Sequence, residues 1–167
     1  ITDTLTKVFA EEVPDGQGSI RLSTLHRETV SCVIAYFGTA DWGRYWKVSV
    51  KAPEKIETRL RRVELVPSAY PCHKEQDDNY LRIVPGMYPD LLRDLDTEDD
   101  GADKKYLTKE VPGQWRSLWL DVTVDAELAG GDYAIVIETE TEDGEKETLK
   151  ADLHVVDASL PPQKLLH

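Results

Sequence analysis

Gln114-Trp115-Arg116-Ser117-Leu118-Trp119-Leu120-Asp121-Val122-Thr123-Val124 is the stretch that decides the fold class. Leu118, Leu120, Val122 and Val124 recur at every second position, and Trp115, Ser117, Trp119, Asp121 and Thr123 fill the positions between. Successive side chains of a β-strand point to opposite faces, so this pattern is one aliphatic face and one mixed face, not a helical stripe.

The same period extends in both directions. Upstream, Leu5 to Ala10 reads as a short edge strand, ended by Pro14, Gly16 and Gly18. Ile20, Leu22 and Thr24 share one face of the next strand. Val30 to Phe37 is apolar on both faces, with Val30, Cys32, Ile34 and Tyr36 opposite Val33, Ala35 and Phe37. That is the mark of a strand central to a packed sheet. Trp42 to Lys51 puts Trp46, Val48 and Val50 on one side, and Arg59 to Val66 alternates until Pro67 stops it. Downstream, Gly130 and Gly131 turn the chain into Tyr133 to Glu140. Asp143-Gly144 predicts a type I′ hairpin turn, which needs positive φ at both central residues. Thr148 to Val156 returns with Leu149, Ala151, Leu153 and Val155 on one face. About seven or eight short strands with turn signals between them predict an all-β fold, a two-layer antiparallel β-sandwich of Greek-key or jelly-roll-like connectivity. The one helical candidate is a turn or two over Asp90 to Leu95.

Between Pro67 and Pro112 the period lapses. The stretch is rich in Tyr, Pro and Leu, too apolar for simple disorder. Loops of this length without secondary structure are uncommon and usually functional. It is therefore predicted to be one long ordered loop. The domain reading is a sandwich over residues 1–158 with an insertion at 67–112, followed by a linker beginning at 159–167. The chain begins Ile-Thr-Asp and ends in an apolar tail, so the expectation is a domain excised from a longer protein.

The net charge is -12. That excludes a phosphate-backbone partner, which needs clustered Lys and Arg, and disfavours anionic membranes. No apolar run approaches the roughly 20 residues of a membrane span. The two cysteines, Cys32 and Cys72, are expected as free thiols rather than a bridge, and do not make a secreted disulfide framework. With no Asn-x-Ser/Thr acceptor either, the cytoplasm is favoured over secretion.

Three stretches carry a family resemblance. They are Tyr70-Pro71-Cys72 through Asp77-Asp78-Asn79-Tyr80-Leu81-Arg82 to Pro85-Gly86-Met87-Tyr88-Pro89-Asp90-Leu91-Leu92; Val111-Pro112-Gly113-Gln114-Trp115-Arg116-Ser117-Leu118-Trp119 with Gly131-Asp132-Tyr133; and Asp157-Ala158-Ser159-Leu160-Pro161-Pro162-Gln163-Lys164-Leu165. Together they resemble the amino-terminal part of the domain-of-unknown-function 4091 family, relatives of glycoside hydrolase family 123. The resemblance implies a β-sandwich preceding a (β/α)8 barrel. It also implies that the barrel carries the sugar chemistry, through the substrate's acetamido group and an adjacent Asp-Glu pair. That pair has no counterpart here, so no catalytic residue is carried over.

The remaining motifs are weak. Gly16-Gln17-Gly18 has Arg21 where a nucleotide fingerprint needs its third glycine. No Gly-x-Ser-x-Gly elbow is present. Cys72, His73, Asp77 and Asp78 lie close together, but their spacing fits no zinc framework, and a polar loop is the better account. The run from Asp96 to Gly101 begins like a calcium loop and then places Leu107 at the twelfth position, where a bidentate Glu belongs. No metal or cofactor is expected. Asp77-Asp78 and Asp99-Asp100 are neighbours, not two carboxyls flanking a bond as in glycosidases. The candidate contact residues are Tyr70, His73, Asp77, Asp78, Tyr80, Arg82 and Tyr88, because Tyr and Arg dominate interface energetics. The expected partner is a downstream barrel, with carbohydrate as the alternative and a purely local role for the loop as the third reading. Trp42, Trp46 and Trp115 are the candidate aromatic platform, against the plainer reading of sandwich core and rim.

Overall fold

The computed structural model describes residues 1–39, 44–70, 80–99 and 104–160. Among them are ten strands: Ser19–His26 (β1), Thr29–Phe37 (β2), Tyr45–Lys51 (β3), Ile56–Ser68 (β4), Gly86–Asp94 (β5), Asp96–Asp99 (β6), Lys104–Lys109 (β7), Trp115–Val124 (β8), Gly131–Thr141 (β9) and Lys146–Ser159 (β10). They form a six-stranded sheet, β1-β10-β9-β3-β7-β6, and a four-stranded sheet, β2-β8-β4-β5. The fold is an all-β sandwich. Neighbours pair antiparallel except β1 and β10, which run parallel.

The period-two readings account for the space between the sheets. Leu118, Leu120, Val122 and Val124 of β8 face inward with Cys32, Ile34 and Tyr36 of β2 and Leu60 of β4. From the other sheet come Val48, Ile135, Ile137, Leu149, Ala151, Leu153 and Val155. Burying such side chains contributes roughly 1.5–3 kcal/mol each against leaving them exposed.

Several expectations are corrected. Leu5 to Ala10 is not a strand. The amino-terminal segment instead crosses the outer face of the four-stranded sheet. Thr2 and Val33 exchange both backbone hydrogen bonds, at 2.8 and 2.9 Å, and the Trp115 N–H donates to the Ala10 carbonyl at 2.8 Å. Val8 and Phe9 of this segment are buried together with Val33 and Val63 of the sheet, apart from the inter-sheet cluster. This explains β2, which is apolar on both faces yet stands at a sheet edge, not the centre. Its second face is covered by the amino-terminal segment.

Most of the described residues of the insertion are also strand. Gly86–Asp94 pairs with β4, and Asp96–Asp99 pairs with Lys104–Lys109 to extend the six-stranded sheet. The helical turn expected over Asp90 to Leu95 is therefore strand through Asp94. Its period was hidden by a bulge. Glu64 faces Leu91 and Leu65 faces Pro89, so Asp90 is extra and the alternation slips by one. Pro89 is tolerated because β5 is an edge strand. The β9–β10 hairpin is present, but only Gly144 has positive φ, at 84°. The Gly144 N–H donates to the Thr141 carbonyl at 2.9 Å, and the Thr141 N–H to the Glu145 carbonyl at 2.9 Å. That is a three-residue loop with glycine in the left-handed position, not a two-residue type I′ turn.

Cys32 is a free thiol with no solvent exposure. Burial pushes its pKa up to about 12 from 9.0, and burial also raises the Tyr36 hydroxyl. An acid whose pKa is higher folded than unfolded contributes stability that is complete below the unfolded value. That contribution is lost as pH rises from about 9 towards 12. The urea midpoint is thus expected to stay level to about pH 8.5 and then fall, with Cys32→Ala flattening part of the decline. In a Cys72→Ser background, a thiol reagent at pH 8 should label Cys32 only after unfolding. Prompt labelling of the native protein would show the thiol to be accessible.

Candidate functional site

The strands define two ends of the sandwich. At one end β2 finishes at Phe37, β8 begins at Trp115, β4 finishes at Ser68 and β5 begins at Gly86. At the other, β1 finishes at His26, β4 begins opposite Val124, and β10 finishes at Ser159. The 13 residues of β4 connect the two. At a rise of about 3.3 Å per residue they are separated by about 40 Å. The tyrosine-bearing segment and the carboxyl-terminal tail, both expected to contact one partner, therefore emerge at opposite ends.

At the loop end the structure brings Arg82 and Tyr88 together with residues that no sequence pattern singles out. The Arg82 guanidinium lies 3.8 Å over the Phe9 ring. It pairs with Glu11 at 2.6 Å and also with Glu12. The Tyr88 ring meets Phe9 edge-on at 5.8 Å, and its hydroxyl donates to the Val84 carbonyl at 2.5 Å. Lys7 Nζ donates to the Pro89 carbonyl at 3.5 Å. A cation stacked on a ring and held by two carboxylates ties residues 80–88 to the amino-terminal segment. Tyr70 and Tyr80 remain outside this knot, 92% and 48% exposed. Leu81, Ile83, Val84 and Met87 are exposed beside them. His73, Asp77, Asp78 and Cys72 lie outside the described residues.

The candidate aromatic platform does not assemble from its described members. Trp46 faces the core, with its ring 5.5 Å from Tyr36 and its indole N–H donating to the buried Glu110 carboxylate. Trp115 belongs to the opposite sheet and stands against Phe37 at 5.3 Å, tilted by 51°. The two rings thus do not form one flat face. Trp42 lies outside the described residues.

Among the described residues, the partly or fully buried carboxylates are committed to donors of their own domain. Glu110 also accepts from the Thr39 N–H at 3.2 Å. Asp121 accepts from Ser31 Oγ at 2.7 Å, the Trp119 indole at 2.7 Å and Arg61 at 2.5 Å, stitching β2, β8 and β4 together. Glu98, in the stretch that mimics a calcium loop, is on β6 and pairs with Lys47 at 3.2 Å. No group of three or more metal-ligating side chains occurs among the described residues. No helix among them is long and apolar enough to cross a membrane.

Fold and site together define a β-sandwich domain in which Glu110 and Asp121 are held by donors of the same domain. No family model matches the chain, and no curated protein matches it. Among solved structures it is similar to a family 123 glycoside hydrolase from Clostridium perfringens, described for glycolipid glycan hydrolysis, with a TM-score of 0.62 at 11% identity. The match covers 87% of this chain and 24% of that one, so the chain spans about a quarter of the hydrolase. At this identity the likeness shows the fold. Weaker likenesses are the carboxyl-terminal domain of the Streptococcus agalactiae AgI/II polypeptide BspA and the collagen-binding subdomain of Enterococcus faecalis surface protein ACE. The first has a TM-score of 0.44 at 15% identity and covers 89% of this chain and 49% of that one. The second has a TM-score of 0.43 at 7% identity and covers 81% of this chain and 93% of that one.

Proposed function

We propose that this chain is the non-catalytic, amino-terminal accessory sandwich of a glycoside-hydrolase-like multidomain protein, packing on and orienting a downstream (β/α)8 barrel. The observation that carries the reading is the match of most of this chain to a quarter of a family 123 hydrolase. The family 4091 resemblance of residues 70–92 and 157–165 points the same way. The commitments of Glu110 and Asp121 support it, because a glycosidase acid or base must be free to exchange a proton with substrate or water. Catalysis is then expected only from the chain continued beyond residue 167, with an aryl N-acetylhexosaminide as the test substrate.

The alternative is a carbohydrate-binding module. The exposed rings of Tyr70 and Tyr80 favour it, since flat apolar faces stack on sugars. In that case calorimetric titration with N-acetylated sugars gives saturable heat, lost in a Tyr70→Ala, Tyr80→Ala variant. The accessory reading predicts no heat of binding up to millimolar sugar.

A further inference from the structure

On the accessory-domain reading, the point where the chain leaves the sandwich limits where a following domain can seat. The Leu160 N–H donates to the His26 carbonyl at 3.2 Å, so the chain leaves the sandwich beside the β1–β2 connection. Residues 161–167 span at most about 25 Å when extended. A domain beginning there is held close to this end, while the tyrosine-bearing end is about 40 Å away.

The same end has the two non-glycine residues with positive φ among those described, Arg27 at 64° and Lys55 at 69°. Left-handed backbone at such residues costs about 1–2 kcal/mol each and persists only where the surroundings impose it. Here the Arg27 N–H donates to the Val124 carbonyl at 2.9 Å, and the Asp125 N–H donates to the Lys55 carbonyl at 3.0 Å. Both cations line one open cavity of about 510 Å³, together with Glu57, Thr123, Asp125 and Ala126. Lys55 reaches Glu127 at 3.2 Å on an exposed rim. Arg27 has no carboxylate partner among the described residues, as Arg21 and Arg116 have none, whereas Arg44, Arg59, Arg61, Arg62, Arg82 and Arg93 each have one. The Arg27 guanidinium beside this cavity is therefore free to receive a carboxylate from outside the domain.

Two further features lie near Leu160. Val156 and Leu160 are exposed apolar side chains flanking the exit. His26 is buried, its Nδ1 has no hydrogen-bond partner, and its Nε2 lies 3.5 Å from an exposed Asp157 carboxylate. A body seated here would exclude water from the His26–Asp157 contact and cover both apolar side chains.

We infer that the end formed by the connections 27–28, 52–55 and 125–130 is the docking face for the domain that follows residue 167 in the same chain, with Arg27 and Lys55 receiving a carboxylate from it. The short tether raises the effective concentration of that domain to the millimolar range, so a modest polar interface suffices.

The test uses the chain continued through the following domain. An Arg27→Glu, Lys55→Glu variant keeps the backbone residue class and changes only exposed charges. It is expected to raise proteolytic cleavage in 160–167 at least tenfold and to separate the unfolding transitions of the two domains. An Ile83→Asp, Met87→Asp variant at the far end is expected to change neither. Wild-type cleavage in the charge-reversal variant, or increased cleavage in the far-end variant alone, would overturn the docking face and leave the accessory reading standing. A chain with no folded domain past residue 167 would overturn both. Unaltered unfolding of residues 1–167 with the same reversal checks that the sandwich itself is intact.

Discussion

Gly38→Ala is expected to destabilise the sandwich by roughly 3 kcal/mol or more, at the upper end of the overpacking range. A Cβ at Gly38 would stand 2.2 Å from the Val111 carbonyl oxygen and 2.7 Å from its carbon. Both are backbone atoms and neither rotates away. The contact is close because β2, on leaving its sheet, runs alongside the segment that feeds β8. The Gly38 N–H donates to the Gln114 carbonyl at 3.1 Å, and the Gly113 N–H donates to the Gly38 carbonyl at 2.9 Å. A methyl group must break this pair of hydrogen bonds or push β8 out of register with β2. Gly113→Ala is the control. Gly113 has φ of 69° and nothing within 4 Å of the place a methyl group would take, so only the left-handed backbone cost of about 1–2 kcal/mol applies. Urea midpoints of the two variants check the difference, and equal shifts would show that the close approach at Gly38 is not there.

Leu120→Ala has the other large expected effect, about 3–5 kcal/mol. Leu120 is fully buried and lies between Cys32 on β2 and Leu60 on β4, at the centre of the four-stranded sheet's inner face. Truncation removes transfer energy and leaves a cavity that two packed sheets close only partly. Total stabilities of domains this size are about 5–15 kcal/mol, so the variant should be near the threshold of folding at 37 °C. Leu91→Ala, on the edge strand and half exposed, should cost under about 1 kcal/mol. Similar midpoints for the two would contradict a core lying between the sheets.

The inward faces of β2, β3, β8, β9 and β10 were legible because one buried face per strand writes a period of two into the sequence. The amino-terminal segment was not, for a local reason. Val8 and Phe9 are adjacent, and both are buried. A strand would send one of them outward, whereas irregular backbone turns both under. β5 was hidden by its bulge and by Pro89. The strand Asp96–Asp99 is polar throughout and joins the sheet at its edge, where pairing needs no apolar face. Arg82 was named from the sequence as a candidate partner contact, whereas its pairing with Glu11 and Glu12 lies within the domain; those residues are about seventy positions away, and nothing nearby in sequence marks them as its partners. Arg27 and Lys55 were missed because positive φ at a non-glycine residue leaves almost no trace in sequence.

The most direct measurement is hydrolysis of an aryl N-acetylhexosaminide by residues 1–167 and, in parallel, by the chain continued through the proposed following domain. The account predicts aryl alcohol release from the longer chain and only the uncatalysed rate from residues 1–167. Release above that rate by residues 1–167, abolished by replacing a single carboxylate, would contradict it.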